Sequence, residues 1–597
     1  MNENMIKRLY AQISNQRRLQ FKLLLFVTVL ASFAEIVSLG AVVPFIAVVT
    51  QPEKIFYYPF MSEFASIFDI TTPQNLVGPI ALLFVAAGIF AGILRIIVLY
   101  ASIRFSNSTG ADLSAEMYRR TLHQPYLVHI SRSSSDIISG ITQKVATATS
   151  VIAALVTVIT NSVLFIAIFS ALILIDPLIA GVAFGVFGSM YIIISLSAKK
   201  ILADNGVVVA KQQTNVVRSS QEGLGAIRDV LLEKSQHFYS QSYSYCVQQL
   251  QRALGTNQFI TLAPRYVMEA LALVMIGLFT FFVSDDSALI SSAMPTLGAL
   301  ALGAQRLLPV LQQLYGNFSL FTGSQQSLLD VIVLLEQPVE ETIEDSTLPP
   351  LSFQRNIKLD QLSFGYSPGG PFVLSDLDIQ ISKGSMVGFV GETGSGKSTA
   401  IDIILGLLRA SEGKLLIDDV EIDDSNVAMW QKMLAHVPQH IYLSDASIAE
   451  NIAFGIPCED IDDERVHEAG YQAQMSDFVG KLPDGYATIV GERGVKFSGG
   501  QRQRIGIARA LYKKASVLVL DEATSALDSK TESSVMEAVG TLKAQLTVII
   551  IAHRITTLEK CDVIFEFSAN ETIKTISYQE LINRDTNSKT VKNESIS

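Results

Sequence analysis

The chain has 597 residues, 49% of them hydrophobic and only 17% charged, with a mean hydropathy of +0.36. That is too apolar for an ordinary soluble protein, and at roughly 150 residues per domain the length asks for at least two domains. The net charge of −11 argues against nucleic acid as a partner, and Cys246, Cys458 and Cys561 lie far apart with no metal-type spacing, which reads as unpaired thiols in a reducing compartment.

In chain order, residues 1–20 are polar and basic, with Lys7, Arg8, Arg17 and Arg18. Met5, Leu9 and Ile13 fall at helical spacing, which predicts an amphipathic helix on a membrane surface or, failing that, a frayed terminus. No cleavable signal peptide is read here, because the first apolar stretch is too long for one. Six apolar stretches follow, near 21–49, 77–103, 149–175, 177–198, 258–284 and 287–321, each long enough to cross a hydrocarbon core. Asp176-Pro177 and Ser284-Asp285-Asp286 leave room only for tight hairpins. The connections 104–148 and 199–257 carry twelve Lys and Arg, among them Arg119, Arg120, Lys144, Lys199, Lys200 and Arg228, whereas the opposite side carries only Lys54. The positive-inside rule therefore predicts a cytoplasmic N-terminus and membrane helices that run on into the cytoplasm. The outer connection 50–76 reads as an interfacial helix, with Phe60, Phe64 and Ile67 on one face, or as a loop covering helix ends.

Ionisable residues within the spans are few: Glu35, Arg95, Arg265, Glu269 and Arg306. A central arginine costs about 2.5–3.5 kcal/mol on insertion scales, so each needs a reason. Arg265 and Glu269, four residues apart, could pair on one helix; Arg95 and Arg306 either face a cavity and attract an anionic group, or pair structurally, for instance with Glu35, or snorkel to an interface.

Residues 331–354 read as a linker rich in Glu and Pro between a membrane domain (1–330) and a soluble domain (355–585); 586–597 read as a disordered tail. Within the soluble domain, the apolar run Met386–Val390 precedes Gly391-Glu392-Thr393-Gly394-Ser395-Gly396-Lys397-Ser398-Thr399, and a helical pattern follows. Strand, glycine loop and helix are the context of a phosphate-binding P-loop. Lys397 reaches β- and γ-phosphates there and Ser398 ligates Mg²⁺. The apolar run Val517–Leu520 ends in Asp521 and Glu522, the first placed to hold Mg²⁺ and the second to act as general base toward water.

Between these motifs lies Phe497-Ser498-Gly499-Gly500-Gln501, which resembles the LSGGQ signature of ABC transporters with Phe in place of Leu. The resemblance extends residue by residue. It implies that Tyr366 stacks on adenine, that Gln439 touches Mg²⁺ and senses the membrane domain, that Glu492 and Arg493 form an exporter-type X-loop, and that Asp528 lies in a D-loop after Ser525, Ala526 and Leu527. It also implies that His553 is a switch histidine at the γ-phosphate. The layout is similar to an ABC exporter half-transporter: an α-helical membrane domain of six transmembrane helices (type IV) followed by an α/β P-loop NTPase domain with a helical subdomain. That family implies a homodimer in which each P-loop faces the partner's Ser498–Gln501, with ATP and Mg²⁺ in two composite sites, and coupling segments near 128–136 and 219–227.

The membrane half most resembles flippases of lipid-linked oligosaccharides in bacterial protein glycosylation, on Glu35 with Val43-Pro44-Phe45, Arg95, Ala263-Pro264-Arg265-Tyr266 with Glu269, and Arg306-Leu307-Leu308-Pro309. This implies a multi-pass protein of the bacterial inner membrane that moves a pyrophosphate-bearing lipid-linked saccharide or other glycolipid. A multidrug, lipid or peptide exporter is the alternative; a nucleotide-gated channel or regulator is disfavoured by intact Glu522 and His553.

Overall fold

The computed structural model describes residues 2–42, 45, 48–49, 52–56, 72–175, 177–283, 305, 307–339, 351–367, 369–523, 527–541, 546–552, 554–568 and 573–584. The chain forms two compact units, residues 1–124 with 131–340, and residues 125–130 with 341–597.

The first unit is helical. It contains α1 (Asn2–Ala11), α2 (Asn15–Gly40), α3 (Val77–Leu122), α4 (Val145–Ile175), α5 (Pro177–Gly225), α6 (Gln236–Val283), and the pair α7 (Leu307–Gly323) and α8 (Gln325–Leu335), bent by 59° at their junction. The helix predicted at the N-terminus forms: Met5 and Leu9 are buried in one cluster with Leu24, Phe105 and Val331, and Arg8 grips the Glu336 carboxylate with both Nε and Nη2. Helices α3, α5 and α6 have 46, 49 and 48 residues. At 1.5 Å per residue each is roughly 70 Å long, more than twice the thickness of a hydrocarbon core. Among the described residues, four helices are long and apolar enough to cross a membrane, and a fifth if α7 and α8 count as one span. Residues 284–304, which include the end of the fifth predicted stretch and the first half of the sixth, lie outside the described set, as does most of the outer connection at 57–71.

Close backbone approaches and polar pairs join these helices, along their charged extensions as well as within the apolar stretches. A Cβ on Gly206 of α5 would stand 2.7 Å from the Gly323 carbonyl oxygen of α7, so only glycine permits that backbone approach. Asn161 donates to Gln313 at 2.8 Å, and Asn205 to Asn257 at 2.9 Å. Lys144, almost fully buried, ends a single π-turn (Gly140–Lys144) and donates to Asp330 of α8 at 2.6 Å. The predicted coupling segment 128–136 straddles two short helices, Tyr126–Ser131 and Ser134–Ser139. The second, 219–227, spans the end of α5, and Ser135 of the first connection donates to Gln221 of the second at 2.7 Å.

The second unit is α/β. In chain order it runs β1 (Asn356–Phe364), β2 (Leu374–Ser382), β3 (Met386–Gly391), α9 (Lys397–Ile404), β4 (Glu412–Ile417), β5 (Val420–Glu421), β6 (Leu434–Val437), α10 (Asp463–Gln472), α11 (Gly499–Tyr512), β7 (Val517–Asp521), α12 (Ser529–Thr541), β8 (Thr547–Ile551), β9 (Val563–Phe567) and β10 (Lys574–Ile576). One sheet has the antiparallel order β2-β1-β4-β5; the other has the order β10-β9-β3-β8-β7-β6, parallel from β9 to β6. Strands β7 and β8 are buried on both faces, as parallel strands require. Val517, Val519, Ile549 and Ile551 join a core with α9 and the antiparallel sheet, while Leu518, Leu520, Val548 and Ile550 join a second core with α10 and α11. Trp430, the chain's only tryptophan, is fully buried in the first core and donates its indole N–H to the Ile404 carbonyl at 2.7 Å.

Candidate nucleotide site

In an open parallel sheet, ligands gather where the strands end at their carboxyl side. Here β9-β3-β8-β7-β6 are neighbours. Strand β3 delivers the glycine loop, β7 delivers Asp521 and Glu522, and β6 delivers Gln439 two residues after it ends. Strand β8, between β3 and β7, delivers residues 552–554, of which His553 lies outside the described residues. Residues as far apart in sequence as Gly391 and Glu522 thus lie at the carboxyl ends of neighbouring strands.

The loop fits a phosphate. Residues 391–396 turn from β3 into α9, whose first N–H groups and macrodipole favour an anion. Lys397 folds back along the loop, and its ammonium donates to the Gly391 carbonyl at 2.8 Å, the Glu392 carbonyl at 2.7 Å and the Ser395 hydroxyl at 3.4 Å. Its three donors are thereby spent on neutral acceptors, which leaves a buried positive charge in the cradle. Burial lowers the affinity of this amine for its proton, and the charges of Glu522 and Asp521 oppose that. Ser398 is exposed, so its hydroxyl is open to a ligand. Tyr366 hydrogen-bonds through its hydroxyl to Thr399 at 3.0 Å and packs edge-on against Phe364.

Gln439 donates to the Glu522 carboxylate at 2.7 Å. Glu522 has a backbone φ of +48°, uncommon for a residue with a side chain, and its N–H is held by the Ile551 carbonyl at 3.0 Å. Strain of this kind persists where the surrounding structure enforces it and is concentrated at functional sites.

Asp402 is the residue that sequence reading missed. It lies on α9 between Ile401 and Ile403, and burial together with the charge of Asp521 pushes its carboxyl up to about 6. The signal available was an acid five residues after the P-loop lysine in an otherwise apolar run. The unfolded chain releases this proton near pH 4, so between about 4 and 6 the folded state binds more protons and loses stability as pH rises. Asp402→Asn is therefore expected to stabilise the unit by about 1–3 kcal/mol at pH 7.5 and not at pH 4. Trp430 fluorescence during unfolding of the full chain without nucleotide or Mg²⁺ reads this directly. An equal gain at both pH values would contradict it.

Ser498 caps α11: its hydroxyl accepts from the Gln501 N–H at 3.3 Å and the Gln501 side chain accepts from the Ser498 N–H at 2.9 Å. This capping box leaves Gly499 and Gly500 at the helix start. Among the described residues no hydrogen bond joins 498–501 to 391–399. Asp528 accepts from the Thr531 hydroxyl and N–H at 2.7 and 3.2 Å, which holds its carboxyl below the usual range. Ser525 and Ala526 lie outside the described residues; Glu492 and Arg493 form a single 3-10 turn with Gly494.

In the helical unit, Arg95 pairs with Glu35, whose side chain is only 1% exposed, and Arg265 pairs with Glu269 at 2.7 Å on the surface of α6. Arg306 lies outside the described residues.

Residues 374–525 match the family model "ABC transporter". A curated ATP-dependent lipid A-core flippase of Chromohalobacter salexigens is 37% identical over 277 residues, 46% of this chain and 47% of that protein. The chain thus spans about half the length of the first curated relatives it matches. A protein of the same description from Pseudomonas fluorescens is 29% identical over 79% of this chain and 78% of its own length. Among solved structures, a bacterial Atm1-family ABC exporter with ATP bound superposes with a TM-score of 0.74 at 22% identity, covering 96% of both chains. Residues 374–525 are therefore an ABC transporter domain, set after a helical unit in the chain, and the chain has the fold of an ABC exporter over nearly its whole length.

Proposed function

We propose that the chain is an ATP-driven exporter or flippase that acts as a homodimer with two composite ATP sites, each pairing the P-loop of one copy with Ser498–Gln501 of the other. The observation that carries this is the convergence of Lys397, Gln439, Asp521 and Glu522 at adjacent ends of one parallel sheet, on a chain that also carries the membrane helices. Ser398, Gln439 and Asp521 would hold Mg²⁺, which supplies charge neutralisation between the phosphates. Lys397 offsets phosphate charge, Tyr366 leaves Thr399 to stack on adenine, Glu522 takes the proton of the attacking water, and His553 contacts the γ-phosphate. The chain lies in the bacterial inner membrane with its N-terminus and nucleotide-binding domain cytoplasmic, as its Lys and Arg distribution supports.

The cargo is an amphipathic glycolipid, in the narrower reading a pyrophosphate-bearing lipid-linked saccharide. The lipid A-core flippases among the relatives support a lipid cargo. Arg95, Arg265 and Arg306 are the candidate head-group residues. The pairing of Arg95 with Glu35 does not remove it from that role, since its own side chain stays 46% exposed. Flipping of a labelled polyprenyl-pyrophosphate glycan in proteoliposomes tests the reading. Arg95→Ala, Arg265→Ala and Arg306→Ala should each slow it, and undiminished flipping by all three would remove the arginine assignment.

A further inference from the structure

A groove of about 700 Å³ runs between α1, the start of α2 and the interior of α3 and α4, a size within the ~300–1,000 Å³ typical of ligand sites. Its walls are apolar: Phe21, Phe105, Ile152, Val156 and Ile159 line it beneath Leu9. Lys7 and Arg18 line it as well. The remaining arginines of the N-terminal segment have acids: Arg8 binds Glu336, and Arg17 binds Asp112 at 2.8 Å. Arg18, among the described residues, has none. One of its Nη atoms donates to the Tyr10 and Ala11 carbonyls, and its guanidinium lies over the Tyr10 ring at 4.9 Å. Its Nε–H is buried and makes no hydrogen bond. An arginine presents five donors, and a planar cation at an apolar site without a carboxylate is complemented by an anion. The surface of α2 next to the groove is apolar and exposed, with Leu19 at 60%, Leu23 at 57% and Phe26 at 63%, as lipid-facing positions are.

We propose that this groove binds one acyl chain of an anionic phospholipid, whose phosphate is held by Arg18 and Lys7. The lipid pins α1 against the bundle. The apolar walls select a chain over any polar ligand, and the cations select an anionic head over a zwitterionic one. This rests on the membrane placement of the helical unit and not on the identity of the cargo.

The test uses the full chain in phosphatidylcholine nanodiscs without nucleotide, so that transport plays no part. Photoactivatable phosphatidylglycerol and phosphatidylcholine, with the reactive group on the same acyl chain, are compared by peptide mapping. Phosphatidylglycerol should label peptides covering 5–21 and 152–159 about tenfold more strongly, as two cations near a surface allow. Lys7→Gln with Arg18→Gln should abolish the preference. Ile159→Phe, which fills the groove and keeps both cations, should lower labelling by both probes. Unchanged helical circular dichroism and a monodisperse elution profile show that each variant is folded. Equal labelling by the two lipids, a preference that survives loss of both cations, or no labelling at these peptides because a second copy or another segment covers the groove would each overturn the proposal.

Discussion

Replacing Glu522 by glutamine is expected to leave ATP binding intact and to lower steady-state hydrolysis by about 10²–10⁴-fold, the usual contribution of a positioned general base. The substitution keeps shape and removes only the basic oxygen. The strained backbone at Glu522 and its N–H bond to Ile551 do not depend on the carboxylate, so the loop should persist. Gln439, which donates to Glu522 at 2.7 Å, can also donate to the amide oxygen of the new glutamine. Phosphate release and binding of a fluorescent ATP analogue, measured on the same preparation, separate the two effects. Turnover equal to that of the parent would remove Glu522 from the role of base. Loss of binding together with turnover would instead assign it to the architecture of the site.

What the sequence made legible follows from how far apart the interacting parts lie. The P-loop is a contiguous run whose backbone, strand and helix are written within 20 residues, so its geometry was readable. The acids after β7 were readable too, because an apolar run ending in Asp-Glu is local. The convergence of 391–399, 439 and 521–522 was not local, and Gln439 entered it only through the family likeness; the strand order β3-β8-β7-β6 supplies its physical reason. In the helical unit the partners are remote. Nothing in the pattern around Arg95 could choose between a cavity and Glu35, 60 residues earlier, and nothing announced that Lys144 would be buried on Asp330. Asp402 escaped notice because its shift arises from burial and from Asp521, which is distant in sequence. The break between the short helices that end at Ser131 and begin at Ser134 could not be seen in a run of polar residues.

Two glycines of the P-loop separate steric need from conformational need. Gly391 has φ +143° and closes β3, paired with Phe567 of β9; a Cβ there would stand 2.1 Å from the Phe567 carbonyl oxygen. That oxygen belongs to a paired strand in the core, so it cannot yield cheaply. Gly394 has φ +85°, but nothing lies within 4 Å of its Cβ position. Gly394→Ala therefore meets only the left-handed backbone penalty, about 1–2 kcal/mol. Gly391→Ala meets strain and overpacking together, about 3–5 kcal/mol. Relief would require moving the Gly391 carbonyl, which accepts from Lys397, so ATP affinity should fall with stability. Because Trp430 is the chain's only tryptophan and packs against Ile404 of the P-loop helix, its fluorescence reports unfolding of this unit in the intact protein. At about 2–4 °C per kcal/mol for a unit of this size, Gly391→Ala should lower the midpoint by roughly 10 °C and Gly394→Ala by a few degrees. Equal losses would mean that backbone conformation alone demands glycine at both positions, and that the strand β9 contact does not shape the loop.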